Sequence, residues 1–428
     1  MVDPLEGLPA EGIARRGTKR PLPPESGGTG SSHSVGTRRG LWVEEIDCAD
    51  RLRSLEPIWG DLLDRSGTDS VFLTFEWLST WWEHLGDGCQ LRILVVKDDE
   101  QVVGLAPLMQ IRHWSLFFPV RKVLFLGIWG SDRLDFIVPD RREEFFAAVV
   151  RHLREGPPAW DVWEVEKIPE DSPNLEALRW EVSRQGPFRH GFRPCFDSPF
   201  LPVEGSWDSY LRKPEQKKLR RTLQNRWNRL NRAGVPREID SSDPSGVEEV
   251  FPQLVDLNVR AAKGRDALLA SGARRGFYQE IARRFSPKGW LSVRALCLDD
   301  RLVAYDYSFV YKGAFIGYHT GFDPDYRALS PGKILQSQVI RSCFERGLRE
   351  VDFSAGEEDY KSEWTVSFRR HVTFLVFSRG IRGTLLCFLY IKLLPGLERL
   401  GLRSVCRKLE AFRLFRSTRN RLAGIRGE

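Results

Sequence analysis

The sequence predicts an α/β chain built from two copies of one unit, and three observations carry that reading. Segments that alternate like strands are interleaved with segments of helical period along most of the 428 residues. A strand, acidic turn, strand pattern occurs twice, LRILVVKDDEQVVGLAPL in the first half and LSVRALCLDDRLVAYDYSF in the second, with Asp98-Asp99 and Asp299-Asp300 at the turns. Hydrophobic residues at 41% and aromatics at 11% are enough for substantial cores.

In chain order, residues 1–40 are rich in Gly, Pro, Ser and Arg without apolar period and read as a disordered leader. A first unit spans 41–202. It opens with a strand over 42–46 and a helix carrying Leu52, Leu55, Trp59 and Leu62, then the segment 71–86, VFLTFEWLSTWWEHLG, whose aromatic stripe suits a core. Strands come next over 91–97 and 101–110, with Pro107 pointing to an edge strand or bulge. Further strands are expected at 124–129 and 134–138, a helix over 141–154, a strand over 161–167, a helix near 175–184, and a turn-rich stretch to Pro202.

A second unit spans 203–380. It begins with a strongly basic helix over 207–233 whose stripe of Leu219, Leu223, Trp227 and Leu230 turns most of the charge outward. That charge is either a solvated face or a docking surface for a nucleotide phosphate, an anionic glycan or a tRNA. Helices over 247–260 and 276–285 lead to a hairpin whose Lys312-Gly313 turn joins two alternating runs. The chain then passes Arg327, Ser330, Pro331, Gly332 and Lys333 into a helix ending before Gly347. Pro331 needs no amide donor in the first turn and Gly332 admits close backbone approach, so this start reads as a strand, loop, helix cradle for a pyrophosphate. A strand over 350–354, the loop to Trp364 and a strand over 372–378 close the unit. Residues 381–428 hold eleven Lys/Arg against three Glu and read as basic amphipathic helices. They either dock on a membrane surface or partner, or pack back on the body.

The net charge of +7 is confined to that tail and to 212–237, which argues for local anion contacts rather than a nucleic-acid-binding body, and no DNA partner is expected. Seven scattered cysteines without a Cys-x-x-Cys pair, and no His-x-x-x-His pair, predict neither a disulfide framework nor a metal site. No apolar run reaches the ~20 residues of a bilayer span, and the first residues lack a signal-peptide core. The expected location is cytoplasmic, with a peripheral contact at the inner face of the membrane.

The segment 327–332 resembles the acyl-CoA fingerprint of the GNAT acetyltransferases, Arg/Gln-x-x-Gly-x-Gly/Ala, with Ser330 standing where the first glycine is usual. With the WLSTWW helix, the GLAPL strand end, the KKLRRTLQNRWNRLNRAGV segment and the pair SPGKIL and VDFSAGEEDYKSEW, residues 41–378 resemble the tandem-GNAT branch of FemAB-like and cellulose-biosynthesis (CelD-type) proteins. The resemblance implies a mixed, mostly antiparallel sheet flanked by helices in each unit. It implies acetyl-CoA or another acyl-CoA as co-substrate, bound by Arg327, Ser330, Pro331, Gly332 and Lys333 between two splayed strands, 314–320 and 350–354.

Acyl transfer needs a base, an oxyanion donor and an acid for the leaving thiolate. Asp352 and His319 are the candidate bases, with Asp306 behind them; Tyr318 and Tyr360 are candidate acids. Lys361 and Trp364 are candidate acceptor-binding residues. Strand alternation sends Tyr318 and His319 to opposite faces. The first unit lacks a Ser-Pro-Gly helix start and is expected to have lost the cofactor and to shape the acceptor cleft. The implied activity is acyl transfer to an amine or hydroxyl, with a saccharide of envelope or exopolysaccharide synthesis as acceptor. The alternatives are FemAB-like transfer from aminoacyl-tRNA and a non-catalytic accessory role at a polysaccharide synthase.

Overall fold

The computed structural model describes residues 40–394 and 396, except 69, 115–117, 157–159, 187, 263–271 and 357–358. The expected leader, but for Gly40, and the tail beyond 396 lie outside the described residues.

The first unit runs β1 (Trp42–Ile46), α1 (Ala49–Arg53), α2 (Glu56–Arg65), α3 (Phe75–Leu85), β2 (Cys89–Leu91), β3 (Ile93–Asp98), β4 (Gln101–Ala106), β5 (Leu108–Trp114) and β6 (Pro119–Phe125). It continues with α4 (Arg142–Glu155), β7 (Val162–Pro169), α5 (Pro173–Arg184) and β8 (Arg189–Pro202). The second runs α6 (Trp207–Arg212), α7 (Lys217–Ala233), β9 (Pro236–Asp240), α8 (Pro244–Ala262), α9 (Gly272–Phe285), β10 (Leu291–Leu298), β11 (Arg301–Tyr311) and β12 (Ala314–Phe322). Then come α10 (Pro331–Glu345), β13 (Glu350–Asp352), α11 (Asp359–Ser362), β14 (Phe368–Phe377) and α12 (Ile381–Cys387).

The two halves repeat in detail. The hairpins β3–β4 and β10–β11 carry register shifts at equivalent places, Val96/Lys97 and Leu296/Cys297. Asp99 and Asp299 take the same left-handed turn conformation, φ 49° and 48°. In both halves the strand before the following helix pairs in parallel with the strand after it over three residues, Lys122–Leu124 of β6 with β7 and Ala314–Ile316 of β12 with β13. The other pairings are antiparallel, so the sheet is mixed and mostly antiparallel. Lys312 and Gly313, φ 45° and 77°, form the two-residue turn with positive φ at both positions that suits strand twist.

Among the described residues the strands form one sheet of eleven, in the order β2-β5-β6-β7-β14-β8-β13-β12-β11-β10-β9, beside a small sheet β1-β3-β4. The stretch 189–202, read as turn-rich from its Gly and Pro content, is a long strand. β8 pairs with β14 along most of its length and reaches β13 through Phe200, Leu201 and Pro202. β14 lies between β7 and β8 instead of closing the second unit, so strands of the two units are exchanged across the boundary.

Other expectations also change. Pro107 marks a switch of sheets, with β4 in the small sheet and β5 in the large one. The expected strand at 134–138 is a single bridge, Leu105 to Ile137, and β6 ends at Phe125. Turns at Gly127 and Gly130, φ 79° and 104°, end it, and Lys167 Nζ holds that loop through the carbonyls of Ile128 (2.9 Å) and Ser131 (2.8 Å). The basic segment 207–233 is broken at Lys213, because Pro214 disfavours helical backbone before it.

The aromatic helix α3 is core, at the seam of the units. The buried Trp77 ring meets Phe72 at 5.0 Å, Phe277 at 5.0 Å, Phe309 at 5.5 Å and Tyr318 at 5.7 Å, while its Nε1 donates to Ser131 Oγ (2.9 Å). Burial of so many rings contributes several kcal/mol, about 1.5–3 for each large side chain.

Candidate active site

Local sequence builds the helix start at α10. The Asp323 carboxylate caps a short 3-10 turn, Pro324–Leu329, accepting from the Asp325 amide (3.1 Å), and is clamped by Arg260 (2.6 Å) and Arg301 (2.9 Å). Ser330 then takes the left-handed conformation, φ 55° and ψ 49°, and turns the chain into α10 with Pro331 buried at the first helical position. Its carbonyl accepts from the Lys333 and Ile334 amides (3.1 and 3.3 Å). Gly332 comes next in the first turn, where helix geometry gives an amide no partner within the helix.

An open cavity of about 580 Å³ lies over this start. Arg327, Ser330, Gly332 and Lys333 line it, together with Tyr360, Asp306 and Arg226. Lys333 is held rather than loose: Nζ meets Glu363 at 3.0 Å and sits 4.6 Å from the Trp364 ring centre. Burial nevertheless lowers its pKa. The basic helix α7 packs against α10, brings Arg226 to the cavity, and donates from Arg229 to the Ala328 carbonyl (3.0 Å).

Beyond Ile316 and Asp352 the pairing of β12 with β13 stops while β12 continues to Phe322, so the strands diverge beside the cavity. On the sheet face toward α8 and α9 stand Tyr318 and His319. A β-bulge, with Gly317 and Tyr318 opposite Ser308, puts both rings on one side, contrary to simple alternation. The ring centres are 4.3 Å apart, and Tyr278 of α9 bridges them, its hydroxyl 3.3 Å from Tyr318 Oη and 3.1 Å from His319 Nε2.

Tyr318 Oη in turn donates to the carbonyl of Gly130, in the first unit. All three links can be made together in one direction only. His319 Nε2–H donates to Tyr278, Tyr278 to Tyr318, and Tyr318 to Gly130. Burial pushes the His319 pKa down to about 3, so the imidazole is neutral at pH 7. As a base it is too weak for neutral pH; as a neutral donor it anchors the chain of hydroxyls.

Asp352 is engaged on both oxygens, accepting from the Ser354 amide (2.8 Å) and from Arg369 (3.1 Å). Burial raises its pKa against the pull of Arg369. With both oxygens so engaged it braces β13 against Arg369 and the start of the following loop. Lys361 is buried and donates to the Ala355 carbonyl (2.6 Å), fixing the loop after β13. Trp364 is fully buried, its Nε1 bonded to Gln336 (2.8 Å) and its carbonyl accepting from Tyr210 (2.6 Å). Neither lines the cavity: Lys361 fixes the 354–356 loop, and Trp364 backs Lys333. Tyr360 faces the cavity.

Asp306, the third base candidate by sequence, stands at the cavity. It is buried on β11, lines the cavity, and has one carboxylate oxygen without a hydrogen-bond partner. Burial raises its pKa to about 7. Arg226 was visible only as part of a charge run, and Tyr278 carried no sequence signal.

The first unit contributes through its 130–132 loop: Gly130 accepts from Tyr318, and the half-buried Asp132 meets Ser354, the Ala355 amide and the charges of Lys167 and Lys361. Among the described residues no His, Cys, Asp and Glu cluster suits a metal.

Residues 217–362, from the start of α7 to the end of α11, match the model of the acetyltransferase (GNAT) domain. The structure of FemX is similar with a TM-score of 0.54 at 13% identity, over 78% of this chain and 98% of that one. A tandem GNAT protein from the clavulanic acid biosynthesis pathway gives 0.45 at 15% identity, over 79% and 99%. L-PGS from Bacillus licheniformis gives 0.46 at 11%, over 83% and 96%. No curated protein matches the chain in sequence. Residues 217–362 are thus a GNAT domain, and the chain shares its overall fold with FemX.

Proposed function

We propose that the chain is an acyltransferase that takes its acyl group from acetyl-CoA or another acyl-CoA bound over the α10 start and delivers it to an amine or hydroxyl. The observation that carries this reading is the 580 Å³ cavity, in which a helix N-terminus, Gly332, Lys333, Arg226 and Arg327 converge. These residues fit a pyrophosphate. Gly332 leaves the backbone open, Lys333 and the arginines supply cations, and the Phe322 ring lies 3.3 Å from where a Cβ at 332 would stand. When bound, the co-substrate would supply the activated thioester carbonyl.

The chain's own residues would do the rest. Asp306, with a pKa of about 7, is suited to accept a proton near neutral pH. Tyr360 offers a hydroxyl at the cavity wall. The Tyr278, Tyr318 and His319 chain orders the opposite face of β12, where the first unit closes over it. A saccharide or amino sugar is the acceptor class we propose.

A second reading, transfer from an aminoacyl-tRNA, draws on α7. Lys217, Lys218, Arg220, Arg221, Arg229 and Arg232 are exposed, and none forms an ion pair with a described residue. Release of free CoA thiol in the presence of acetyl-CoA and an amino-sugar panel tests the first reading. Thiol release that depends on an acceptor supports it. No release with any acceptor, together with retention of charged tRNA at low salt, would replace it by the second.

A further inference from the structure

The helix α12 and the π-helical turn that continues it, Phe388–Leu393, are apolar on two faces but packed on one. The inner face is seated on the sheet. Leu386 and Tyr390 are buried with Val120, Val162, Leu375 and Phe377, Gly191 leaves room for Ile391, and a Cβ at Gly383 would strike the Ser378 carbonyl. The outer face carries Ile381 (89% exposed), Leu385 (40%) and Phe388 (55%), spaced at i, i+4 and i+7 along one stripe. Large apolar side chains in a row at such exposure mark a contact surface.

The charges around the stripe choose the partner. Arg379, Arg382 and Lys392 are exposed beside it, Arg189 stands near Cys387, and the chain has no acidic residue between Tyr360 and Glu398 except Glu363. A second copy would set arginines against arginines. Among the described residues no helix is long and apolar enough to cross a membrane. An apolar stripe flanked by cations, lying flat on a rigid sheet, is the chemistry of a helix that enters the headgroup layer of an anionic bilayer.

We infer that the outer face of α12 docks the chain on anionic membrane surfaces, with Ile381, Leu385 and Phe388 inserted among acyl chains and Arg379, Arg382 and Lys392 against lipid phosphates. This inference is independent of the acyl donor and acceptor.

The test is co-sedimentation of the full chain with vesicles of phosphatidylglycerol and phosphatidylcholine, beside phosphatidylcholine alone. The wild type is expected to sediment with the anionic vesicles, to release as salt is raised, and to bind neutral vesicles weakly. The pair Leu385→Asp and Phe388→Asp, on exposed positions that leave the packed face intact, is expected to lose about tenfold or more in partition. Arg382→Glu with Lys392→Glu is expected to remove the preference for anionic lipid. Three results would overturn the inference: no sedimentation of the wild type; unchanged binding by the Asp pair, which would move the contact elsewhere; or a wild-type dimer that the Asp pair dissolves without any vesicle binding.

Discussion

Ser330 and Arg141 hold the same place in the two halves of the chain: each is the left-handed N-cap of the helix that joins two strands paired in parallel, α10 between β12 and β13 and α4 between β6 and β7, φ 55° and φ 49°. The first turns of the two helices differ. After Ser330 come Pro331, Gly332 and Lys333; after Arg141 come Arg142, Glu143 and Glu144. Two carboxylates in the first turn complement a helix N-terminus internally and repel a bound phosphate. Arg141 is moreover spent on Glu144 and Asp98, both at 2.6 Å. One nucleotide site per chain is therefore expected, and Arg141→Ala should leave binding of a CoA thioester unchanged in titration while Lys333→Ala weakens it.

Lys333 is a buried cation with a fixed neighbour, so its loss costs more than an exposed charge would. Lys333→Met should weaken CoA binding about 10–100-fold, the range of a charge-assisted contact, measured by competition with desulfo-CoA. Glu363→Gln should produce a smaller loss, because Trp364 still holds the ammonium in place.

Ser330 holds a conformation that a glycine adopts freely. Ser330→Gly should leave binding intact and raise stability by up to about 1 kcal/mol in urea denaturation, an effect opposite to that of most core substitutions.

Asp306 couples activity and stability to pH. Its folded pKa of about 7 lies above the ordinary value of 3.8, so the folded chain holds the extra proton between these values. Its contribution to stability is complete below about pH 4 and is lost as pH rises toward 7. Asp306→Asn should raise Tm at pH 8 with little change at pH 4. In the wild type kcat/KM should climb to a plateau above about pH 7, and in Asp306→Asn that limb should vanish with a fall of about 10²–10⁴ in rate.

The hydroxyl chain predicts the opposite trend in acid. With the His319 pKa near 3 in the fold against 6.5 ordinarily, the stability tied to its neutral form is present above pH 6.5 and is lost as pH falls toward 3. Tyr278→Phe breaks both bridges at once and should cost about 1–3 kcal/mol by leaving buried partners unsatisfied. A double-mutant cycle with His319→Gln should show coupling.

The sequence made some of this legible for physical reasons. The paired aspartates, Lys312-Gly313 and Ser330-Pro331-Gly332 are local devices, in which the residues themselves dictate the backbone, and they revealed the repeat, the hairpin and the helix start. The strand exchange is hidden because β8 finds its partner β14 about 170–190 residues away, and its prolines and glycine mimic a loop. Simple alternation sends Tyr318 and His319 to opposite faces, and only the register with Ser308, a long-range property, sets the bulge that brings them together. Lys361 and Trp364 carry the residue types of a binding site but bury themselves in the wall, and Asp306 shows its proton affinity only once the fold has covered it.

The most direct test of the central claim is isothermal titration of acetyl-CoA into the wild type and into Gly332→Glu, which gives the second unit the acidic first turn of the first. Binding at one site per chain is expected in the wild type and none in the folded variant. Equal binding by both, or none by the wild type, would contradict it.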